Sequence, residues 1–366
     1  MQTIKTDEQS LGPIVSSFNE WDPLEEVIVG VLDGACVIPW EVGFQAMIPL
    51  PVLDDVRRYH TSLGGQRLSQ QQRVAAQKEL DQFVHILVSE GVTVRRPDPI
   101  DHAQPYATPD WKSASGNCQA NPRDVLLIVG DEIIESPMSW RSRYFEFYAY
   151  RSLIKEYFKK GARWTAAPKS TMADELYNPN YVRGQEYVTT EFEPVFDAAD
   201  VSRCGRDLFA QRSQVTNSFG IEWLRRHLGD TYRVHEVEFE DDRAVHIDAT
   251  FVPLAPGKLL VNPDRPMKNF PDMFKRAGWE ILVAPRTTLP TSHPAFRSFE
   301  WLHMNMLSLD EKRIIVEQTE EPLIKALKEW GFQPIPCPFR NNYKYGGSFH
   351  CATTDVRRKG TLQSYF

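Results

Sequence analysis

A strand, turn, strand, helix, strand unit recurs five times along this chain, and the repeat restricts the fold more than any other feature. The first copy has an apolar run at 24–30, a helical pattern around 70–90 and an alternating run at 91–97. The second has strands at 125–130 and 132–135, a helix at 140–159 and a strand at 161–168. The third runs from Asp197 through 207–210, with a helix at 214–228 and a strand at 232–237. The fourth has 246–253, 258–262, a helix near 270–277 and a strand at 278–283. The fifth has 303–309, 313–317, a helix at 321–330 and a strand at 331–336. A glycine after a helix and before an alternating run, as at Gly91, is a helix stop leading into a strand. Five such units of about 35–70 residues point to a radial or barrel-like array. The last stretch, which contains Cys351, would supply a strand that returns to the first unit and removes the open sheet edges. A doubly wound α/β fold is the alternative.

Length alone is compatible with two domains in 366 residues. Charged residues are 25% and hydrophobic residues 42% of the chain, the balance of an ordinary globular protein. The net charge is -7 with the two signs interspersed, so there is no basic cluster for nucleic acid. Residues 1–17 have neither an apolar core nor an Arg-rich amphipathic pattern, so no targeting peptide is expected. No run of about 20 apolar residues exists to span a membrane. The five cysteines are scattered without a CxxC pair. That pattern fits a reducing cytoplasm better than a disulfide framework or zinc ribbon.

Two insertions interrupt the units. Residues 35–66 carry few periodic signals and residues 168–190 are rich in Pro, Asn and Tyr, and each is either a binding loop or surface decoration.

The chemistry gathers near the C-terminus. In Tyr345-Gly346-Gly347-Ser348-Phe349-His350-Cys351, two glycines allow a tight turn or a close approach. Cys351 is a candidate nucleophile, with a buried structural thiol as the bland alternative. His246-Ile247-Asp248, read as a strand, would put both polar groups on one face. His246 could shuttle protons near neutral pH. A transition metal normally needs three or four ligands, and no recognised spacing supplies them, so no metal is expected. Asp197, between Phe196 and two alanines, is set for burial, where orienting a histidine would satisfy it. Helix or turn capping would also explain it. Asp124 precedes an apolar strand. Arg265 could fork onto a substrate carboxylate or form a surface ion pair. Spare carboxylates beside a cysteine favour a guanidinium-bearing substrate.

The chain also resembles the glycine amidinotransferase family of arginine-dependent amidinotransferases. The resemblance is carried by Asn19-Glu20-Trp21-Asp22-Pro23-Leu24, Pro122-Arg123-Asp124, Trp140-Arg141-Ser142-Arg143, Thr171-Met172-Ala173-Asp174-Glu175-Leu176-Tyr177, His246-Ile247-Asp248, and the run from Gly346 to Tyr365. It implies a five-fold pseudosymmetric α/β propeller of ββαβ modules, in one domain spanning 1–366 with a flexible 1–16. It also implies that Cys351 takes the amidino group of L-arginine, that His246 is the acid and base, and that Asp197 is its partner. Asp124 and Asp248 would bind the guanidinium, Arg265 the amino-acid carboxylate, and Ser298 would add a substrate contact. No cofactor is implied, and the partners are arginine and an acceptor amine in a cytoplasmic homodimer. Where the glycine enzyme has Asn-Pro-Met before this histidine, the chain has Arg243-Ala244-Val245, and a Ser-Ser pair becomes Ser298-Phe299. These departures put glycine in doubt, and the resemblance, with Arg265 retained as a carboxylate seat, implies L-lysine as the acceptor, giving L-homoarginine for toxin biosynthesis. Glycine, or hydrolysis by water, is the alternative.

Overall fold

The computed structural model describes residues 13–269, 272–295 and 300–366. Five three-stranded sheets of mixed direction carry the architecture, and a two-stranded hairpin (Tyr106–Ala107 and Lys112–Ser113) lies apart from them. In the second unit Leu126–Val129 runs antiparallel to Glu132–Glu135, which runs parallel to Arg163–Ala166. The same pattern recurs in the third unit (Val201–Cys204, Asp207–Gln211, Arg233–Val237). It recurs again in the fourth (Phe251–Ala255, Lys258–Val261, Glu280–Val283) and in the fifth (Leu307–Ser308, Arg313–Glu317, Gln333–Cys337).

The first sheet is built differently. Its middle strand, Leu24–Val29, runs parallel to Thr93–Arg95 and antiparallel to Thr353–Arg358, so the C-terminal strand completes the N-terminal unit. Two-residue turns join the antiparallel pairs of the second, third and fourth units and four residues join that of the fifth, whereas the parallel partner needs a helical crossover.

Helix Gln70–Ser89 shows how the sequence sets these crossovers. Ala76, Leu80, Phe83 and Leu87 recur at helical spacing and are buried. At its start the Ser69 hydroxyl accepts from the Gln72 amide and the Gln72 side chain accepts from the Ser69 amide, a reciprocal cap. Just beyond its end, Gly91 takes φ 87°, a conformation that a side chain disfavours.

Three expectations change. The helix expected over 140–159 is α-helical only at Arg151–Lys159, and Arg141–Arg143 and Glu146–Tyr150 are 3-10 turns. Tighter turns let Arg143 reach inward to buried carboxylates. The helix expected from 214 starts at Ser218, where the Asn217 side chain accepts from the Gly220 amide. The loose segment expected through residue 16 fails at its end. Val15 and Ser16 are buried, and the Ser16 amide donates to the Val356 carbonyl at 3.0 Å.

The units are tied together by charge as well as by packing. The buried Arg203 donates to Glu20 and to Asp355, at 2.7 Å each, and to the Ile128 carbonyl at 2.9 Å. Arg358 and Arg123 also reach Asp355, at 2.6 and 2.5 Å. Buried charges are tolerated only when paired and hydrogen-bonded in this way.

Candidate active site

Cys351 is held from three directions. Phe349, two residues earlier, is buried against Phe83 and Phe339, with ring centroids 5.1 and 4.5 Å away. Burying such a ring is worth roughly 1.5–3 kcal/mol. The Asn305 side-chain oxygen accepts from the amides of Ser348 (3.1 Å) and Cys351 (3.0 Å). A Cβ on Gly347 would lie 2.6 Å from both Asn121 Oδ1 and Cys351 Cβ, so only glycine lets this turn close.

His246-Ile247-Asp248 is not a strand. Ile247–Ala249 is a 3-10 turn, and His246 enters it at φ 50°. A non-glycine residue held there stores on the order of 1–3 kcal/mol of strain. The turn aims both side chains at the same space by curvature rather than by strand alternation. His246 Nε2 lies 3.1 Å from Asp197 Oδ2, and Nδ1 lies 3.6 Å from Asp124 Oδ1. Asp248 Oδ2 accepts from the Cys351 thiol at 3.4 Å. Asp124 sits in the short helix Pro122–Val125, and Asp197 immediately precedes the turn Ala198–Asp200.

Arg143 fastens this group. It donates to Asp124 at 2.8 Å and makes a forked contact with Glu146 at 2.7 and 3.0 Å. Asp197 Oδ2 is 3.7 Å away. The Oδ1 atoms of Asp124 and Asp197 are buried without a hydrogen-bond partner.

The surroundings set the protonation states. Burial, followed by the Asp248 charge, pushes the Cys351 thiol up to about 12. Burial works against a charge on His246, but the Asp124 carboxylate and the hydrogen bond to Asp197 outweigh it and hold the imidazole well above its usual range. Burial raises Asp124. Asp248 is also desolvated, yet its hydrogen bond with His350 and the charges of His350 and His246 keep it below the usual carboxylate range. The resting site therefore pairs a neutral thiol with an imidazolium.

Asp124, His246, Asp248 and Cys351 open onto one cavity of about 470 Å³. Arg265 also lines it, with its Nε 3.0 Å from Asp241. The insertion at 35–66 forms much of the remaining wall, through Ile38, Phe44, Met47 and Ile48. It folds as helices Val42–Met47 and Leu53–Leu63. The second insertion packs elsewhere, with Met172, Leu176 and Tyr177 in a buried cluster. Ser298 lies outside the described residues.

Sequence reasoning assigned no role to Arg143, although it lies in a quoted segment, nor to Glu20 and His350 as a pair. No local pattern marks contacts made across the whole fold.

Donor atoms of Asp124, His246 and Cys351 lie within 4.8 Å of one another, a spacing that a metal ion could bridge. A metal ligand must be deprotonated, so an ion there would have to displace the protons of the Cys351 thiol and the His246 imidazolium. The arrangement suits a nucleophilic thiol, a proton donor and two carboxylates around a planar cation.

The chain is 51% identical over 356 residues to the L-arginine:L-lysine amidinotransferase of Pseudomonas savastanoi pv. phaseolicola, covering 96% of each. It is 50% identical over 363 residues to the mitochondrial glycine amidinotransferase of Danio rerio, covering 96% of this chain and 85% of that one. The solved structure of SxtG, an amidinotransferase from Microseira wollei in the saxitoxin biosynthetic pathway, superimposes with a TM-score of 0.93. It shares 52% identity and covers 96% of this chain and 100% of its own. A scan of protein-family models finds no match. The fold and these relatives define a transferase of amidino groups. The chain belongs to the amidinotransferase family.

Proposed function

We propose that this enzyme moves the amidino group of L-arginine to L-lysine through a covalent intermediate on Cys351, releasing L-ornithine and forming L-homoarginine. The observation that carries this reading is the enclosure of the Cys351 thiol by Asp124, His246 and Asp248 on one cavity. Asp124 and Asp248 hold the guanidinium, and the carboxylate of the amino acid rests near Arg265.

Entry of the cation places positive charge beside Sγ, which favours the thiolate, and the thiol proton passes to bulk solvent, since His246 already carries its own. Sγ then attacks the guanidinium carbon. The bond to the arginine side-chain nitrogen breaks as His246 protonates that nitrogen, and ornithine leaves. Cys351 now carries the amidino group. Lysine enters the same seat, and its side-chain amine attacks the carbon. His246 takes the amine proton, the C–S bond breaks and homoarginine departs. The carboxylates act by positioning. The apolar wall from the insertion limits the access of water to the intermediate.

Support for lysine comes from the 51% identity to an arginine:lysine enzyme. A glycine acceptor is the second reading, favoured by the 50% identity to a glycine enzyme. Mass spectrometry after incubation with arginine and lysine, glycine or water alone separates the two. Homoarginine supports lysine, guanidinoacetate supports glycine, and citrulline without an amine would make the enzyme a hydrolase.

The wider proposal is a cytoplasmic homodimer of single-domain five-fold propellers serving toxin biosynthesis. The propeller part draws on the repeated sheets and on the pairing of Thr353–Arg358 with Leu24–Val29. Among the described residues no helix is long and apolar enough to cross a membrane. Sedimentation analysis tests the dimer.

A further inference from the structure

His350 precedes the candidate nucleophile in sequence but does not line the substrate cavity. Its ring stands behind Asp248, beside a separate cavity of only about 20 Å³ that Glu20 and Asp248 also line. Each ring nitrogen meets a carboxylate. Nδ1 is 2.7 Å from Asp248 Oδ2, and Nε2 is 3.3 Å from Glu20 Oε2. An ionised carboxylate can only accept, so both nitrogens must carry protons, and the ring is an imidazolium.

The far end of this line of contacts is fully charge-paired. Glu20 is forked by Arg203 at 2.8 and 2.7 Å, and Arg203 is itself fixed by Asp355. Arg123 approaches from the short helix Pro122–Val125, with its Nε 3.4 Å from the His350 carbonyl. Burial and Arg123 disfavour charge on the ring, but Asp248 and Glu20 prevail and raise its pKa. The groups that act on His350 are therefore Asp248, Glu20 and Arg123, with Arg203 and Asp355 one contact further out. The oxygen that His350 grips, Asp248 Oδ2, is also the one that accepts from the Cys351 thiol.

We propose that His350 is a positioning residue, a doubly protonated clamp between Glu20 and Asp248 that keeps Asp248 ionised and correctly turned for the incoming guanidinium. The proposal rests on the reading that Asp248 receives that group. The two carboxylates of the site then differ by design of their neighbours. Asp124 is braced by Arg143, and Asp248 is braced through His350 by the central ionic network.

Two measurements test it. The first is nitrogen NMR of the histidine-labelled free protein, with the His350 signals assigned by their loss in His350→Asn. Both ring nitrogens are expected to be protonated at pH 7.5, and a neutral tautomer would overturn the clamp. The second is arginine-dependent turnover against pH. Asparagine keeps a donor near the Nδ1 position without the charge, whereas His350→Phe removes both. Losing a partner to a buried carboxylate predicts a fall in kcat/KM for arginine of about tenfold for asparagine and about a hundredfold for phenylalanine. The fall should lie mainly in KM, and the acid limb of kcat/KM should move to higher pH, because Asp248 becomes easier to protonate. Equal losses in both variants with an unmoved acid limb would mean a merely structural role and sink the proposal. Unchanged kinetics in both would do the same. A wild-type enzyme that ignores arginine would refute the donor assignment instead, while the NMR result would still decide the clamp.

Discussion

His246 and Asp197, 49 residues apart, meet at 3.1 Å through Nε2 and Oδ2. The contact holds the imidazole ring with its other nitrogen toward Asp124. Asp197→Asn keeps the shape but removes the charge that supports the imidazolium. Loss of acid–base function predicts a fall in kcat of roughly 10²–10⁴-fold. Ornithine release measures it, and a variant within a few-fold of wild type would show that the Asp197 charge is not needed to support His246.

Cys351 is the subject of a second prediction. Burial and the Asp248 charge push its thiol up to about 12. Below that value the free enzyme holds it mostly as the unreactive thiol, since the thiolate is the nucleophile. Alkylation of Cys351 in substrate-free enzyme, followed by peptide mass spectrometry, should keep rising through pH 10. A plateau at neutral pH would show that a resting thiolate exists. In the same spirit, Cys351→Ala should bind arginine and turn none over.

Arg143 braces buried carboxylates on two sides. Replacing it with Met leaves Asp124 and Glu146 without their cation. Breaking a buried pair this way costs about 3–5 kcal/mol. Denaturant unfolding should show that loss, and an unchanged midpoint would mean that the acids are satisfied by other means.

Glu41 ties the insertion to the segment after Trp140, where its carboxylate accepts from the Ser142 hydroxyl and the Arg141 amide. Burial raises it from 4.5 to about 7. The folded state therefore holds this proton more tightly than the unfolded chain does. The resulting stability is full below pH 4.5 and is lost as the pH rises through 7. Glu41→Gln removes this dependence, so the variant's stability relative to wild type should climb between those values. A difference that stays flat with pH would contradict the buried-acid account.

Gly347→Ala tests the turn that carries the nucleophile. Its Cβ would crowd Cys351 Cβ and Asn121 Oδ1, each at 2.6 Å. Moving the thiol by even about 1 Å costs on the order of a hundredfold in rate. Normal kcat in this variant would show that the turn has slack.

The repeat was readable in the chain because each unit announces itself locally. Apolar runs such as 126–129, the helical spacing of Ala76, Leu80, Phe83 and Leu87, and the stop at Gly91 need no distant partner. Cys351, His246, Asp124, Asp248 and Arg265 could be named as candidates, and they surround one cavity. What the sequence could not show was how His246 and Asp248 converge. Strand alternation was the natural reading, but a positive φ at His246 and a 3-10 turn deliver the pair instead. Backbone strain of that kind is sustained by surrounding contacts and leaves no periodic trace.

The sequence by itself determined the local units, the nucleophile candidate and its acidic company, because period, glycine placement and residue type act over a few positions. Only the tertiary structure decided which charges answer one another. Arg143 with Asp124 and Glu146, and the line from Arg203 through Glu20 and His350 to Asp248, join segments separated by up to 330 residues. Those pairings exist because burial makes every unpaired charge costly, so folding must bring each one a partner wherever in the chain that partner lies.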